Sequence, residues 1–272
     1  MGSEHRGIEQ PMLPAGTFAD RVAIVTGGGT GLGFAIAREL VALGAKVAIA
    51  SRREEVLQAA ADEMASVGER PLVVPVDVRR PEQVDAMVAR TIAVFGRVDC
   101  LVNNAAGNFP VHALDLSVNG WNAVVGIVLN GTWYCTQRVA KEWVASGAPG
   151  AIVNIVATYA WTGGPYVVHS AAAKAGVLAM TKTLAVEWAP HRIRVNAIAP
   201  GPIAETGAAD HLWPTPEAAA AVLRTVPAGR FGRREEVAHL AAYLLSDYAD
   251  YASGACYTLD GASSLGKGDF LP

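Results

Sequence analysis

A glycine-rich turn near the start of the chain has the residue types that bind phosphate. It reads TGGGTGLG at 26–33 and joins the apolar run 22–26 to an amphipathic stretch at 31–43. Glycines let the main chain approach a pyrophosphate closely, and the N-terminus of the following helix offers free N–H groups and a favourable dipole. The spacing differs from the GxGxxG of most dinucleotide sites. We expect a dinucleotide here, bound by Gly27, Thr30, Gly31, Leu32 and Gly33.

Two arginines, Arg52 and Arg53, follow the second apolar run, where an acidic residue would bind the ribose hydroxyls of NAD. An aspartate there would repel a 2′-phosphate, whereas the planar guanidinium of Arg52 can pair with it. The alternative is a solvated pair at the start of a helix, but positive charge is unfavourable there. The sequence therefore favours NADPH over NADH. Asp77, after the third apolar run, is placed to accept a hydrogen bond from the adenine amino group.

These residues need a parallel sheet to bring them together. Short β-branched runs predict strands at 22–26, 46–50, 72–76, 100–103, 151–156, 194–198 and 256–259. Helical stretches lie between them, near 31–43, 53–67, 81–95, 118–145, 170–188 and 234–246. Continuous apolar strands in β-α-β order predict an α/β fold, a Rossmann-like doubly wound parallel sheet of about seven strands with helices on both faces.

The chain reads as one domain over 17–272 behind a flexible N-terminal lead-in at 1–16. The Gly/Pro-rich stretch 199–216 follows a strand, so it would lie at the ligand-binding edge of the sheet and act as a lid. An ordinary surface loop is the alternative interpretation.

Composition narrows the classes of protein that fit. The 272 residues are 51% hydrophobic and 17% charged, as in globular domains, and the net charge of −3 argues against non-specific nucleic-acid binding. No signal-peptide core or membrane-length apolar run is present. Three widely spaced cysteines without a metal-site pattern favour free thiols in a reducing compartment. We expect a cytoplasmic protein that binds no metal, membrane or nucleic acid.

In the order and spacing of its motifs, the chain resembles the short-chain dehydrogenase/reductase family over residues 18–262. The motifs that carry the resemblance, besides TGGGTGLG, are VDV at 76–78, NNAAG at 103–107, PGPI at 200–203, Asn130 and Lys174. The resemblance implies a catalytic role for Asn130. It also implies cofactor contacts from Asp77, Val78, Asn104, Ala105, Ala106, Lys174, Pro200, Gly201 and Ile203.

The proton-handling residues of that family are missing from their usual places. The family has a serine and then Tyr-x-x-x-Lys, in which the tyrosine donates a proton to a carbonyl. Lys174 is present here, but Ser170 stands four residues before it and Ala157 occupies the expected serine position. A serine hydroxyl is a much poorer acid than a phenol, so the family's standard route of ketone reduction is not expected.

One subgroup shares this departure, the 2,4-dienoyl-CoA reductases of mitochondrial and peroxisomal type, and the chain resembles it closely from Asp77 to Ile203. In that subgroup the acting tyrosine lies fifteen residues before the lysine, here Tyr159, and its companion is the asparagine after NAAG, here Asn108. The resemblance implies NADPH-dependent reduction of a dienoyl-CoA, with both residues at the thioester oxygen where charge develops. Ser170 would then be a hydrogen-bonding support, and Lys174 would hold the cofactor.

An acyl-CoA substrate needs cationic groups for its phosphates and an apolar slot for its chain. We expect Arg52 and Arg79 to serve the phosphates and Ser117 to be a further contact. The apolar candidates are Phe109, Tyr166, Leu212 and Trp213. The subgroup has a substrate-binding arginine after PGPI, where this chain has His211, which weakens the assignment to CoA thioesters. His211 and His169 are interpreted as surface or loop residues.

Several alternatives remain open. In one alternative, the enzyme acts on another carbonyl or enoyl compound. In another, the chain binds NADPH as a scaffold or sensor with little catalysis. Tyr159 would be a packed core residue, with Tyr166 as the competing proton donor, and Asn108 would only cap its own turn. Members of the family are commonly tetramers, so we expect a homotetramer that uses the helices near 118–145 and 170–188.

Overall fold

The computed structural model describes residues 10–206, 212–213 and 215–265, so His211 and residues 1–9 lie outside the described residues. Seven parallel strands form one sheet in the order β3-β2-β1-β4-β5-β6-β7. Their bounds are β1 Val22–Thr26, β2 Lys46–Ser51, β3 Leu72–Pro75, β4 Cys100–Asn103, β5 Gly150–Ile155, β6 Ile193–Pro200 and β7 Cys256–Leu259. The predicted doubly wound parallel sheet is confirmed, and each predicted strand is found within two residues of its expected ends.

Helices cover both faces of the sheet. They are α1 Gly31–Ala42, α2 Glu54–Met64, α3 Pro81–Phe95, α4 Val118–Val125, α5 Gly131–Ser146, α6 Tyr159–Thr162, α7 Val168–Glu187, α8 Pro216–Leu223 and α9 Arg234–Leu245. The sequence did not predict α6 or α8. Within the described ranges, no helix is long and apolar enough to cross a bilayer.

The strands read as continuous apolar runs because both faces of the sheet are buried. Along β1, Ala23 and Val25 pack with residues of α1, α2 and α9, whereas Ile24 between them packs with residues of α3, α5 and α7. Successive side chains of a strand point to opposite faces, so a strand between two helix layers has no polar side. The continuous apolar runs in the sequence predicted a parallel sheet for this reason.

The predicted helix at 118–145 is broken in the structure. A π-helical turn, Gly126–Asn130, separates α4 from α5. Each π turn adds a residue to the helical repeat and is frequent at functional sites. Here it places Ile127 in the wall of the cavity described below. The apolar periodicity continues across 118–145, so the sequence did not reveal the extra residue.

The strand order fixes where a ligand can bind. From β1, the chain adds β2 and β3 on one side and β4 to β7 on the other, so the order reverses between β1 and β4. In open α/β sheets the ligand crevice lies outside the carboxyl ends of the strands at such a point. The glycine-rich turn follows β1, and NNAAG includes the last residue of β4 and the segment after it. Both motifs therefore meet at this edge.

Candidate active site

One cavity of about 730 Å³ opens along the carboxyl edge of the sheet. It extends from the glycine-rich turn to Tyr159, Ser170 and Lys174. Fifteen predicted cofactor-binding residues line it: Gly27, Thr30, Gly31, Leu32, Arg52, Arg53, Asp77, Val78, Asn104, Ala105, Ala106, Lys174, Pro200, Gly201 and Ile203. The structure thus gathers in one place residues that the sequence spreads over about 175 positions.

Glycine is required in the turn for steric reasons. Gly27 has φ of +67°, which residues with a side chain rarely adopt. Gly33 does not line the cavity but lies directly behind the turn, where a Cβ atom would be 2.2 Å from the Gly27 carbonyl oxygen. The main chain therefore packs against itself here and leaves the N-terminus of α1 open to the cavity. This arrangement fits the pyrophosphate of a dinucleotide.

Asn104 holds the glycine-rich turn in place, a role that the sequence did not predict. Its side-chain amide donates to the carbonyl oxygens of Thr26 and Gly27, at 3.1 and 3.3 Å. The Thr26 hydroxyl accepts from the main-chain N–H groups of Asn104 and Ala105, at 3.0 and 3.1 Å. The ends of β1 and β4 are thereby joined across the crevice. Thr26 is the last residue of β1 and the first residue of the TGGGTGLG motif, and nothing else in the sequence indicated its hydrogen-bonding role.

The cationic end of the cavity contains Arg52 and Arg53, both exposed, at the end of β2. Asp77 lies beside them and is paired with Arg79, whose Nη2 is 2.5 Å and Nε 3.0 Å from Oδ2. This pairing holds the pKa of the Asp77 carboxyl below its usual range, with a smaller contribution from the charge of Arg52. Asp77 therefore stays ionised and retains lone pairs that can accept from an adenine amino group.

Arg79 is not the free cation that the sequence suggested. Besides pairing with Asp77, it is absent from the cavity lining, and its side chain lies over Gly126, whose Cβ would be 3.6 Å from Arg79 Cδ. A guanidinium already bound to a carboxylate binds a phosphate less well, because the two anions compete for the same N–H groups.

At the opposite end of the cavity, Tyr159 and Ser170 approach each other. The Tyr159 hydroxyl, at the start of α6, lies 3.0 Å from the Ser170 hydroxyl on α7. Burial raises the pKa of the Tyr159 phenol, and the hydrogen bond to Ser170 offsets this only in part. The phenol is therefore protonated near neutral pH and can donate a proton or a hydrogen bond. Ala157, which replaces the family's usual serine, lines the same cavity.

Lys174 is buried one helical turn after Ser170. Its ammonium Nζ donates to the Ile155 carbonyl oxygen at the end of β5, 2.5 Å away. Burial lowers the pKa of Lys174 to about 8, because a charged ammonium loses hydration inside the protein. Near pH 7 the group still carries its charge at the floor of the cavity.

Asn108 has a free amide N–H group and lines the same cavity as Tyr159 and Ser170. Its side-chain oxygen Oδ1 accepts from the main-chain N–H of Phe109 at 2.9 Å, which fixes the orientation of the amide. Its Nδ2 atom is buried and has no hydrogen-bond partner within the described residues. A buried donor without a partner is costly, so its presence at a cavity wall indicates a ligand acceptor.

Four further predicted residues lie away from the cavity. Asn130 ends the π turn with an exposed side chain, and Ser117 caps α4 by accepting from the Gly120 N–H at 3.0 Å. Phe109 and Tyr166 are partly exposed and do not line the cavity, although the Tyr166 carbonyl oxygen accepts from Val111 N–H at 3.0 Å. The structure therefore does not bring these four side chains to the candidate site.

The apolar wall comes instead from Leu212, Trp213 and Ile127. The Trp213 ring stacks on Phe231, with 6.0 Å between centroids and 3° between planes. Leu212 and Trp213 belong to the predicted lid, of which residues 207–211 and Pro214 lie outside the described residues. The remaining lining residues include Gly29, Ser51, Val56, Gly107, Thr158, Pro202, Thr206 and Ser263.

The interpretation of His169 as a surface or loop residue is wrong. It is the second residue of α7, and its side chain is fully buried. No pattern in the sequence indicated this, because α7 starts two residues earlier than predicted and a lone histidine near a helix start is usually exposed.

A parallel sheet with a glycine-rich phosphate turn, a cationic ribose end and a buried Tyr–Ser–Lys group defines a dinucleotide-binding oxidoreductase. The family model described as "Enoyl-(Acyl carrier protein) reductase" matches residues 27–263. The chain belongs to the short-chain dehydrogenase/reductase family and acts with a nicotinamide cofactor.

Individual relatives extend over nearly the whole chain. A protein of Bacillus subtilis (strain 168) named "Probable 2,4-dienoyl-CoA reductase [(2E)-enoyl-CoA-producing]" is 47% identical over 246 residues, which cover 90% of this chain and 97% of the relative. The "Peroxisomal 2,4-dienoyl-CoA reductase [(3E)-enoyl-CoA-producing]" of Danio rerio is 41% identical, covering 91% and 82%. Among solved structures, a short chain dehydrogenase from Bacillus anthracis has a TM-score of 0.84 at 50% identity, covering 92% and 98%.

Proposed function

We propose that this enzyme reduces 2,4-dienoyl-CoA thioesters with NADPH. The observation that carries the proposal is the Tyr159–Ser170 hydroxyl pair, which lines the same cavity as Asn108 and as Ala157, the residue that replaces the usual serine. A ketone reductase needs its proton donor at the oxygen bonded directly to the carbon that receives the hydride. A conjugated thioester places its charged oxygen several bonds away from that carbon, so the donors must be displaced.

The residues of this chain suit such a substrate. A nicotinamide cofactor held along the glycine-rich turn, Arg52 and Lys174 would supply the hydride, which the conjugated system accepts at C5, its far end. Negative charge then develops on the thioester oxygen, where the Tyr159 O–H and the free Asn108 Nδ2–H donate hydrogen bonds. Lys174 holds the ribose and contributes a positive charge beneath the site.

Tyr159 also provides the proton that completes the reaction. Its raised pKa keeps the phenol protonated until charge has developed on the substrate. Protonation at C2, after hydride addition at C5, leaves the double bond between C3 and C4, so the product is a 3-enoyl thioester. Protonation at C4 instead would give the 2-enoyl isomer. The relatives from Danio rerio and Bacillus subtilis are named for these two products, respectively.

Arg52 supports NADPH as the reductant. It lines the cavity at the end of β2, at the position where an acidic residue would repel a 2′-phosphate. Arg53 adds a second positive charge there. A solved chain from Agrobacterium tumefaciens with NADP bound is 36% identical to this one, with a TM-score of 0.83. Since Arg79 is paired with Asp77, Arg52 and Arg53 are the arginines that reach the cavity within the described residues.

The enzyme would act in the degradation of unsaturated fatty acids by β-oxidation, in the cytoplasm, as a homotetramer. Support for assembly comes from exposed valines on the predicted interface helices, Val118 on α4 and Val168 and Val186 on α7. Solvent-exposed valines on one pair of helices suit contact between copies better than contact with water.

The test is an absorbance assay at the NADPH band with a short 2,4-dienoyl-CoA, an enoyl-CoA and small ketones as separate substrates. We expect turnover with the dienoyl-CoA and a 3-enoyl product by NMR. If the enzyme reduces ketones but no acyl-CoA substrate, its function is carbonyl reduction. Tight NADPH binding without any turnover would instead indicate a scaffold or sensor.

A further inference from the structure

His169 is a buried imidazole that packs against the turn carrying Asn108. Its ring meets Phe109 edge to face, with 4.6 Å between ring centroids and 62° between planes. Phe109 directly follows Asn108, and His169 directly precedes Ser170. The imidazole therefore contacts the segment that carries Asn108, and it is joined by a peptide bond to Ser170, whose hydroxyl pairs with that of Tyr159.

The hydrogen-bonding groups of this region are incomplete. Neither His169 Nδ1 nor Nε2 makes a hydrogen bond of normal geometry within the described residues, although the Phe109 main chain lies near enough to the imidazole to raise its pKa. Asn108 Nδ2 likewise has no partner within the described residues. Among the described residues five buried side-chain atoms are in this condition, and these two residues contain three of them. Buried polar atoms in folded proteins are nearly always paired with protein or with internal water. These three unpaired atoms belong to two residues linked through the contact between Phe109 and His169, and they point to a small polar ligand.

The chemistry of both side chains identifies that ligand as water. Burial lowers the pKa of the His169 imidazole, and the nearby Phe109 main chain offsets this only in part. A neutral imidazole has one N–H donor and one acceptor nitrogen, which suits water. The Asn108 Nδ2 group can only donate, and the described residues contain no cluster of metal-ligating side chains, so a metal cation does not fit here. The Asn108 amide has two N–H bonds, and the thioester oxygen needs only one of them. The second can donate to a water that His169 also binds.

We propose that His169 is a positioning residue, which binds an internal water that in turn accepts a hydrogen bond from Asn108 Nδ2. This inference rests on the proposed function, because the donation from Asn108 to the thioester oxygen is part of it. Phe109 N–H already holds Oδ1 of the same amide at 2.9 Å. With the water at Nδ2, both ends of the amide are fixed, and its remaining N–H points at the substrate without rotation. Donors fixed in advance need no reorientation as charge develops.

A packing role for His169 makes the opposite prediction. Phenylalanine has a planar ring of similar size and lacks both nitrogens. If His169 only fills space, His169→Phe removes two unsatisfied polar atoms, so the protein keeps its turnover and gains thermal stability. The His169→Phe variant therefore distinguishes a water-positioning role of His169 from a space-filling role.

The experiment compares His169→Phe with His169→Gln in the full-length protein, assayed with NADPH and a 2,4-dienoyl-CoA. Glutamine keeps a donor and an acceptor, so it is the conservative control. We expect His169→Phe to lower kcat about 10- to 100-fold, the range for a misplaced reacting group, with little change in KM or in the Kd for NADPH. His169→Gln should recover most of the lost kcat. Wild-type kcat in His169→Phe would overturn the inference.

A crystal structure of the wild-type protein with NADP⁺ gives a second readout that does not depend on turnover. We expect a water within about 2.7–3.2 Å of a His169 ring nitrogen and of Asn108 Nδ2. If no water joins them, the inference is wrong even where the variants lose activity. If the water is present but the wild-type protein reduces no dienoyl-CoA, the proposed function fails and the water site stands. His169→Leu replaces His169→Phe if the latter does not fold.

Discussion

The hydroxyl groups of Tyr159 and Ser170 lie 3.0 Å apart, and Ser170 stands four residues before Lys174 on the same helix. In the family's usual arrangement a tyrosine occupies the position of Ser170, and a serine that of Ala157. Here the pair of hydroxyls is retained, but the tyrosine and the serine have exchanged places, so that the serine lies on α7. The phenol belongs to the short α6 beyond β5 instead of to α7. This exchange brings the acidic hydroxyl in from α6 instead of from α7, which suits the distant substrate oxygen of the proposed reaction.

Replacing Tyr159 by phenylalanine tests this exchange directly. The variant keeps the ring and removes one donor to the thioester oxygen, which typically costs about 10²–10³ in turnover. We expect kcat with a 2,4-dienoyl-CoA to fall by this factor, whereas the Kd for NADPH, measured by fluorescence titration, stays within about twofold of wild type.

Tyr166→Phe is the matched control, because Tyr166 is 56% exposed and does not line the cavity. It should retain wild-type kcat. A large loss in Tyr166→Phe with normal turnover in Tyr159→Phe would assign the proton to Tyr166 and refute the role given to Tyr159.

Arg52 is expected to decide between NADPH and NADH. Arg52→Asp removes a charge-assisted hydrogen bond to the 2′-phosphate and adds repulsion, while the new carboxylate can accept from the ribose hydroxyls of NADH. Loss of a hydrogen bond to a charged group corresponds to roughly a 10- to 100-fold rise in KM for NADPH. KM for NADH should fall at the same time.

Initial-rate assays with both cofactors give these constants. Arg90→Asp on α3 changes the net charge equally at an exposed position that does not line the cavity, and should leave both KM values unchanged. Equal losses for the two cofactors in Arg52→Asp would mean that Arg52 does not read the 2′-phosphate.

The sequence predicted those parts of the site that are fixed by the main chain. Gly27 needs a positive φ, and a Cβ at Gly33 would meet the Gly27 carbonyl oxygen, so a short segment contains much of the signal. His169 and Arg79 show where prediction from sequence ends. The burial of His169 depends on Phe109, 60 positions earlier, and the engagement of Arg79 depends on the rotamer of a neighbouring aspartate. Neither contact follows from local periodicity, since each is a matter of tertiary packing or side-chain geometry.

Assembly through α7 can be tested at Val186. This residue is 79% exposed on the helix expected at a subunit interface. A glutamate there would bury a charge in an apolar contact, so Val186→Glu should shift a tetramer to smaller species. Light scattering after size-exclusion chromatography measures the mass. Val94→Glu on α3, a valine that is 55% exposed, is the control and should leave the mass unchanged. An unchanged mass in Val186→Glu would place the interface elsewhere.

Burial of Lys174 predicts a specific dependence of stability on pH in the cofactor-free protein. Its pKa is about 8 when folded and about 10.5 when unfolded. Between these values the unfolded chain binds a proton that the folded protein does not, so the contribution of Lys174 to the free energy of unfolding rises with pH. Below pH 8 both states are charged, and burial of the ammonium costs about 3 kcal/mol relative to the neutral form.

Lys174→Met lacks this titration. Cys100 and Cys135, whose buried thiols have pKa values raised to about 12, titrate alike in both proteins and cancel in the difference. We expect the stability of Lys174→Met minus that of wild type to decrease by about 3 kcal/mol from pH 7 to pH 10.5, with most of the change above pH 8. Urea unfolding at a fixed protein concentration across this range measures it. A difference that stays constant with pH would show that Lys174 has an ordinary pKa in the folded protein.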